Sequence, residues 1–233
     1  MEMGLVRTST RVGAFRAVAV VALLWICAAS AVTDEVHEWT IAAYLSGDGD
    51  LGVAARGYAA RLARGAEATG WSVAIQLDQV DERGECAAER RLFRDGERED
   101  TQMAAPQTDG GVNMGSGAVL SEFLRWAMRE APAERYALII MGHGTSVGGR
   151  DAEGRSGEWG VAVDASSGGD ALSAREIAGA VREALDGEAE ERLAAIFLDS
   201  CYSGSLATRP VPTGPSHPLC ASPDRMPSPG LPW

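Results

Sequence analysis

A histidine and a cysteine each follow an apolar run of the kind that forms a buried strand. His143 comes two residues after residues 136–141 (YALIIM), and Cys201 comes three residues after residues 193–198 (LAAIFL). A thiolate is a strong nucleophile, and a neighbouring histidine favours the thiolate and shuttles protons to a leaving group. The two residue types therefore predict nucleophilic chemistry at a carbonyl carbon, with Cys201 as nucleophile and His143 as base.

The spacing of the two residues suits one edge of a parallel sheet. In open α/β sheets, ligands bind outside the carboxyl ends of the strands. If the two strands are neighbours, the intervening 201 − 143 = 58 residues leave room for one right-handed crossover with a helix. A cysteine whose histidine lies about 50 residues upstream is a known nucleophile arrangement.

Two further groups beside this pair fit the same chemistry. The backbone N–H groups of Gly144 and Cys201 are predicted to form an oxyanion hole, in which one donor contributes about 3 kcal/mol. The glycines flanking His143 would let a substrate approach the backbone. Asp199 lies two residues before Cys201, hence on the same side of a strand, where a carboxylate binds a cationic side chain. The plainer alternatives are a core cysteine, a loop histidine and a turn aspartate.

The elements that would position these residues alternate along the chain. Strands are predicted at 39–46, 71–78, 136–141, 159–163 and 193–198, with a hairpin from 89–93 that turns at 94–96. Helices are predicted at 51–69, from Ser116 or Ser121 to Glu130, and from Ser173, where Ser173 and Glu176 fit a capping box. This order predicts a three-layer α/β domain with a mostly parallel sheet covered on both faces.

Composition limits the class of protein further. A chain of 233 residues has room for one sizeable domain, and its net charge of −12 argues against a nucleic-acid partner. All basic side chains except histidine are arginine. After residue 31 three cysteines remain, an odd number that leaves at least one thiol without an intrachain partner.

The first 31 residues are predicted to be a secretory signal peptide. Arg7, Arg11 and Arg16 precede an apolar run at 17–29, and small residues follow at 29–31. The run is short for a membrane span, which needs about 20 residues. We therefore expect a secreted or periplasmic protein without a stable membrane span after cleavage; a retained anchor is the alternative.

The end of the sequence differs from the rest. Eight of the ten prolines fall between Pro210 and Pro232. Residues 207–233 are therefore predicted to be a disordered tail without strand or helix. The predicted domain at 36–206 ends just after the nucleophile strand, which indicates a C-terminally truncated sheet.

Several segments together resemble the clostripain family of cysteine peptidases. They are residues 39–51 (WTIAAYLSGDGDL), 113–115 (NMG), 123–126 (FLRW), 136–144 (YALIIMGHG), 163–177 and 193–201. The resemblance implies a caspase-like fold and a catalytic dyad at His143 and Cys201. It also implies that Asp199 selects protein or peptide substrates with arginine or lysine, and that self-cleavage follows Arg150 or Arg155. The run at 199–204 (DSCYSG) is closer to the metacaspase pattern.

No cofactor is predicted, although some relatives use calcium. Asp48 and Asp50 could supply ligands, but their segment does not continue as an EF-hand loop, and helix capping is the favoured role. Two other functions stay open at this stage: a truncated, inactive relative, and an exported binding module without enzymatic activity.

Overall fold

The computed structural model describes residues 36–80, 86–94, 97–101, 112–150, 156–185, 192–201, 203 and 219–221. The predicted signal peptide, the turn at 95–96, the processing candidate Arg155 and most of the proline-rich stretch lie outside these residues. None of the helices among the described residues is long and apolar enough to cross a membrane.

The described residues form a central sheet of seven strands. They are β1 (His37–Gly47), β2 (Ser72–Val80), β3 (Cys86–Arg94), β4 (Glu97–Thr101), β5 (Ala133–Met141), β9 (Leu193–Asp199) and β10 (Leu219–Ala221), in the order β10-β9-β5-β1-β2-β3-β4. The first five strands in this order are parallel, and β3 and β4 form the predicted antiparallel hairpin. The prediction of a mostly parallel sheet is confirmed.

A second, small sheet lies between β5 and β9 in the sequence. It contains β6 (Thr145–Arg150), β7 (Ser156–Asp164) and β8 (Asp170–Ser173), and β7 pairs antiparallel with both of the others. Only β7 was expected from the sequence. Because β6 is rich in small polar residues and glycine and β8 has four residues, neither shows the apolar alternation that identifies a strand.

Within the described parts of the chain, three helices connect the strands. They are α1 (Gly52–Thr69), which follows a 3-10 turn at Gly49–Leu51, α2 (Gly117–Glu130) and α3 (Ala174–Ala184). The predicted capping box of α3 is confirmed, since the Ser173 hydroxyl accepts from the Glu176 N–H and the Glu176 carboxylate accepts from the Ser173 N–H. Helix α2 begins after Ser116, the first of the two predicted starts.

The helices cover the sheet from both sides. Helices α2 and α3 pack on one face over the larger part of the core, with Leu138, Ile140 and Val181 fully buried. Helix α1 packs on the opposite face through small residues, Ala55, Ala59 and Ala66. Because alanine adds so little bulk, α1 lies close to β1: a Cβ on Gly47 would be 2.7 Å from the Ala55 Cβ.

Strand β10 corrects one prediction. The proline-rich stretch was expected to form no strand, yet Leu219–Ala221 pairs parallel with Ile196–Leu198 of β9. These three residues stand between Pro218 and Pro223, and they contain no proline themselves. An edge strand tolerates nearby prolines because one side of it forms no ladder. Strand β9 is therefore not at the edge of the sheet along this segment.

Candidate active site

The carboxyl ends of β5 and β9 bring the predicted pair together. The two strands are parallel neighbours, with Met141 opposite Asp199, and the Gly142 N–H donates to the Asp199 carbonyl oxygen at 3.3 Å. His143 and Cys201 each follow two residues beyond that pair. Both therefore leave the sheet at the same edge, as the strand-end argument predicts.

The backbones of the two segments are in direct contact at Gly144. A Cβ on Gly144 would lie 2.0 Å from the Cys201 carbonyl oxygen and 2.7 Å from Ser200 Oγ. A Cβ on Gly142 would lie 2.9 Å from the Ala162 Cα. We expected these glycines to admit a substrate to the backbone. In the structure the same glycines are also required by the close packing of the chain on itself.

His143 is fixed at both its backbone and its ring. Its carbonyl oxygen accepts from the Val163 N–H at 3.1 Å. Its Nε2 lies 2.7 Å from Asp50 Oδ1, and the two side chains are 46% and 75% exposed. From its sequence context, Asp50 was expected only as a helix cap or a cation ligand. Its place just after β1, at the same sheet edge as His143, was the signal that could have indicated this contact.

Cys201 is a free, half-buried cysteine. Within the described part of the chain, no hydrogen bond joins its thiol to His143. Catalytic hydrogen bonds are often long in the absence of substrate, and they shorten in the substrate complex. The proximity of the pair is therefore carried by the backbone, through the strand register and the contact at Gly144.

Asp199 lies on the face of the sheet that α1 covers. Burial raises the pKa of its carboxyl group, and the positive charge of Arg61 opposes that rise. Burial also raises the pKa of Tyr58, and the negative charge of Asp199 adds to the effect. The guanidinium carbon of Arg61 is 5.2 Å from the centre of the Tyr58 ring. Asp199 is thus a half-buried acid beside one aromatic and one cationic side chain of α1.

A separate set of buried carboxylates lies at the same end of the sheet. Asp164 accepts from the Met114 and Ser167 N–H groups, each at 2.8 Å. Asp78 has a buried Oδ1 without a hydrogen-bond partner. Burial, together with the negative charges of Asp164 and Asp48, raises the pKa of Asp78 to about 8. Asp78 is therefore mostly protonated at neutral pH.

Asp48 and Asp50, the residues considered for calcium, both contact other parts of the chain. Asp48 accepts from the Gly49 N–H at 3.0 Å and from the Ser166 N–H at 2.7 Å, while Asp50 contacts His143. Both carboxylates thus already have protein partners. Among the described residues, no group of three or more His, Cys, Asp or Glu side chains is placed to hold a metal ion. The capping role of Asp48 is confirmed at the 3-10 turn.

The chain matches a known protein family over most of its length. The family model described as the clostripain family matches residues 59–233. The chain therefore belongs to the clostripain family, which is a family of cysteine peptidases. The match includes β5, β9 and the residues after them. A comparison with curated protein sequences gave no significant match.

Solved structures of C11 cysteine proteases share the fold. An inactive zymogen C11 protease from Parabacteroides distasonis is 18% identical with a TM-score of 0.55, and the match covers 82% of this chain and 50% of that one. A secreted C11 protease from Bacteroides thetaiotaomicron, called iotapain, is 16% identical with a TM-score of 0.53, covering 82% and 53%. A structure of a secreted C11 protease from the same organism with an irreversible peptide inhibitor gives 16% and 0.51, covering 71% and 43%.

These similarities confirm the caspase-like α/β fold. The chain spans about half the length of the solved structures that it matches.

Proposed function

We propose that this protein is an exported cysteine endopeptidase that cleaves peptide bonds after arginine or lysine. The proposal depends chiefly on one observation: β5 and β9 are adjacent and parallel, and His143 and Cys201 follow the same rung of that ladder. A base and a thiol at one strand edge are the minimum that acyl transfer by a cysteine requires. Membership of a family of cysteine peptidases supports the same reaction.

The reaction proceeds through a thioester. His143 takes the proton of the Cys201 thiol, and the sulfur attacks the scissile carbonyl carbon. The backbone N–H groups of Gly144 and Cys201 stabilise the oxyanion. The C–N bond then breaks as the imidazolium returns its proton to the leaving amine. Water, deprotonated by His143, cleaves the thioester and releases the acid and the free thiol.

Asp199 selects the basic side chain. A half-buried carboxylate offers a cation a strong partner, because a charged hydrogen bond is weakened less by water there. Burial raises the pKa of Asp199, so a larger fraction is protonated in mild acid than for an exposed aspartate. The Michaelis constant for an arginyl substrate therefore rises as pH falls through this pKa. A substrate with a neutral residue in that position shows no such rise.

Export is proposed from the sequence of residues 1–31. The test is the N-terminal mass of the protein recovered from the medium or periplasm of a bacterial host that expresses the full chain. A mature terminus after Ala31 supports export, and an uncleaved terminus in the cytoplasm contradicts it.

Activity is tested with the purified full chain and peptidyl amides that differ only in one residue, arginine, lysine or the neutral citrulline. We expect cleavage of the first two, and loss of cleavage in the Cys201→Ala and His143→Ala variants. Cys220→Ala, which removes a thiol from the neighbouring strand, is the matched control and keeps activity. Asp199→Asn should abolish the preference for arginine over citrulline.

Covalent labelling separates the remaining alternatives. An arginyl chloromethyl ketone should modify Cys201, and mass spectrometry of tryptic peptides should locate it. Labelling without turnover would indicate an inactive relative with an intact site. If the wild-type chain is neither labelled nor able to cleave the substrates, the proposal is contradicted and a binding module is favoured.

A further inference from the structure

The ring of His143 has one nitrogen already engaged. Nε2 is 2.7 Å from Asp50 Oδ1, a hydrogen-bond distance. A carboxylate only accepts hydrogen bonds, so in this contact Nε2 carries the proton. In a neutral imidazole the other nitrogen, Nδ1, is then an acceptor. Nδ1 is the nitrogen that can take a proton from a thiol.

We propose that Asp50 is a positioning residue that orients the His143 ring and holds it in the Nε2–H tautomer, leaving Nδ1 free to act as the base for Cys201. The catalytic consequence rests on the proposed function, whereas the tautomer does not. In the reaction, Nδ1 receives the thiol proton and later gives it to the leaving amine. Nε2 keeps its proton on Asp50 throughout, so Asp50 stabilises the imidazolium without taking part in proton transfer.

Backbone hydrogen bonds tie the segments of both Asp50 and His143 to residues 163–166. Asp50 lies in the 3-10 turn directly after Asp48, whose buried carboxylate accepts from the Ser166 N–H. The His143 carbonyl oxygen accepts from the Val163 N–H, three residues earlier in the same segment. Both partners of the contact are thus anchored to residues 163–166. Anchoring of this kind sets where the imidazole can lie, which a flexible surface pair does not achieve.

The strength of the contact argues for orientation rather than for stability. Both side chains are well exposed, and exposed ion pairs typically contribute little to the stability of the fold. Orientation has larger leverage on rate, since a misplacement of about 1 Å can cost about 100-fold. A contact that hardly affects folding can therefore be important for turnover.

The first test measures the ring itself and needs no activity. In the full chain labelled with ¹⁵N-histidine, the ring signals of His143 are assigned by their loss in His143→Gln. Nearly complete Nε2–H tautomer is expected in the wild type when the ring is neutral, and a mixture in Asp50→Ala. Asp50→Asn should resemble the wild type, because its side-chain carbonyl oxygen still accepts from Nε2–H.

The second test measures turnover of the arginyl amide. Asp50→Ala should lower kcat about 10- to 100-fold with KM changed less than about threefold, and Asp50→Asn should recover most of the loss. In a His143→Ala background, Asp50→Ala should have no further effect. Glu67→Ala, which removes an equal exposed charge near the far end of α1, is the control and should match the wild type.

The two tests fail in distinguishable ways. If the wild type cleaves nothing but its tautomer depends on Asp50, the proposed function fails and the positioning role stands. An Nδ1–H tautomer in the wild type overturns the inference, and so does a tautomer that is the same with and without the Asp50 carboxylate. Equal loss of kcat in the Ala and Asn variants with an unchanged tautomer also overturns it, because a positioning role requires the ring to respond.

Discussion

Two groups of aspartates at the carboxyl end of the sheet differ sharply in exposure. The Asp50 side chain is 75% exposed beside His143, whereas Asp48, Asp78 and Asp164 are 7%, 2% and 0% exposed. Asp48 and Asp50 are only two residues apart. The exposed carboxylate contacts His143, the proposed base, and the buried ones mainly accept from backbone N–H groups.

The comparison shows how exposure divides structural from chemical roles. A buried carboxylate is stable only with several donors or with a proton, since an uncompensated charge costs many kcal/mol. Asp164 meets this condition because it accepts hydrogen bonds from two backbone N–H groups. Asp78 meets it because its raised pKa keeps the carboxyl group protonated. An exposed carboxylate is solvated by water, so its single protein contact is free to serve orientation.

Removing Asp164 should have the largest effect on stability. Asp164→Ala leaves the Met114 and Ser167 N–H groups without their acceptor, and each hydrogen bond to a charged group contributes about 1.5 to 3 kcal/mol. The variant also removes a negative charge near Asp78, which offsets part of this cost. We therefore expect the free energy of unfolding in urea to fall by about 4 kcal/mol. Asp164→Asn, which keeps one acceptor oxygen, should lose less. A loss below about 1 kcal/mol for the alanine variant would contradict the structural role.

Adding a methyl group at Gly144 tests whether the segments that carry His143 and Cys201 are rigidly packed against each other. The new Cβ would meet the Cys201 backbone, which no side-chain rotation can relieve. Overpacking of this kind costs about 3 kcal/mol, and displacement of Cys201, the proposed nucleophile, should lower kcat/KM about 100-fold. Thermal unfolding measures the loss of stability. The rate of Cys201 alkylation by iodoacetamide measures the displacement of the thiol without relying on turnover.

Gly179→Ala is the matched control for this change. Gly179 is inside α3, and a Cβ there has no atom within 4 Å. Alanine should stabilise the helix by about 0.5 to 1 kcal/mol. If Gly144→Ala behaved like Gly179→Ala, the close contact between the two strand-end segments would be refuted.

The pH dependence of stability should identify Asp78. Its pKa is raised to about 8 in the folded protein, while in the unfolded chain it is near the ordinary value of about 4. The folded state therefore binds the extra proton between these values, and stability falls as pH rises toward 8, by up to about 1.4 kcal/mol per pH unit. The wild type should lose about 2 kcal/mol relative to Asp78→Asn between pH 6 and 8.

The difference in unfolding free energy between the wild type and Asp78→Asn separates the titration of Asp78 from that of other residues. The exposed variant Glu67→Gln should follow the wild-type curve at every pH. Parallel curves for the wild type and Asp78→Asn would show that Asp78 ionises normally in the folded protein.

Removing Asp50 should have the smallest effect on stability. The Asp50→Ala variant loses one exposed contact, and we expect a change below about 1 kcal/mol in the free energy of unfolding. Urea unfolding beside Asp164→Ala gives the direct comparison of an exposed with a buried aspartate. Comparable losses in the two variants would remove the distinction on which this interpretation rests.

Much of the scaffold could be predicted because its signals are local. The apolar run 136–141 and the capping box at Ser173 indicate a strand and a helix without knowledge of distant residues. The adjacency of β5 and β9 was only a condition of the prediction, and the strand pairing in the structure establishes it. Strands β6, β8 and β10 were missed because their short segments show no apolar alternation, and pairing with neighbours defines them.

The candidate site was predicted only in part, for a related reason. His143, Cys201 and Asp199 stand at fixed offsets from strand ends, so the sequence predicts their edge of the sheet. The contact of Asp50 with His143 joins residues 93 positions apart, and no local pattern encodes it. The close packing of Gly144 was also not predicted, because its neighbour Cys201 follows another strand.

Hydrophobic periodicity and strand order are properties of the chain, so they were enough to predict that a histidine and a cysteine follow two buried parallel strands. Only the tertiary structure decided which aspartate meets the histidine and which aspartates are buried. Those outcomes depend on residues 113–114 and 163–167, which reach the end of β1 only after the sheets have formed. Burial and hydrogen bonding, rather than residue type, then assign identical carboxylates to opposite roles.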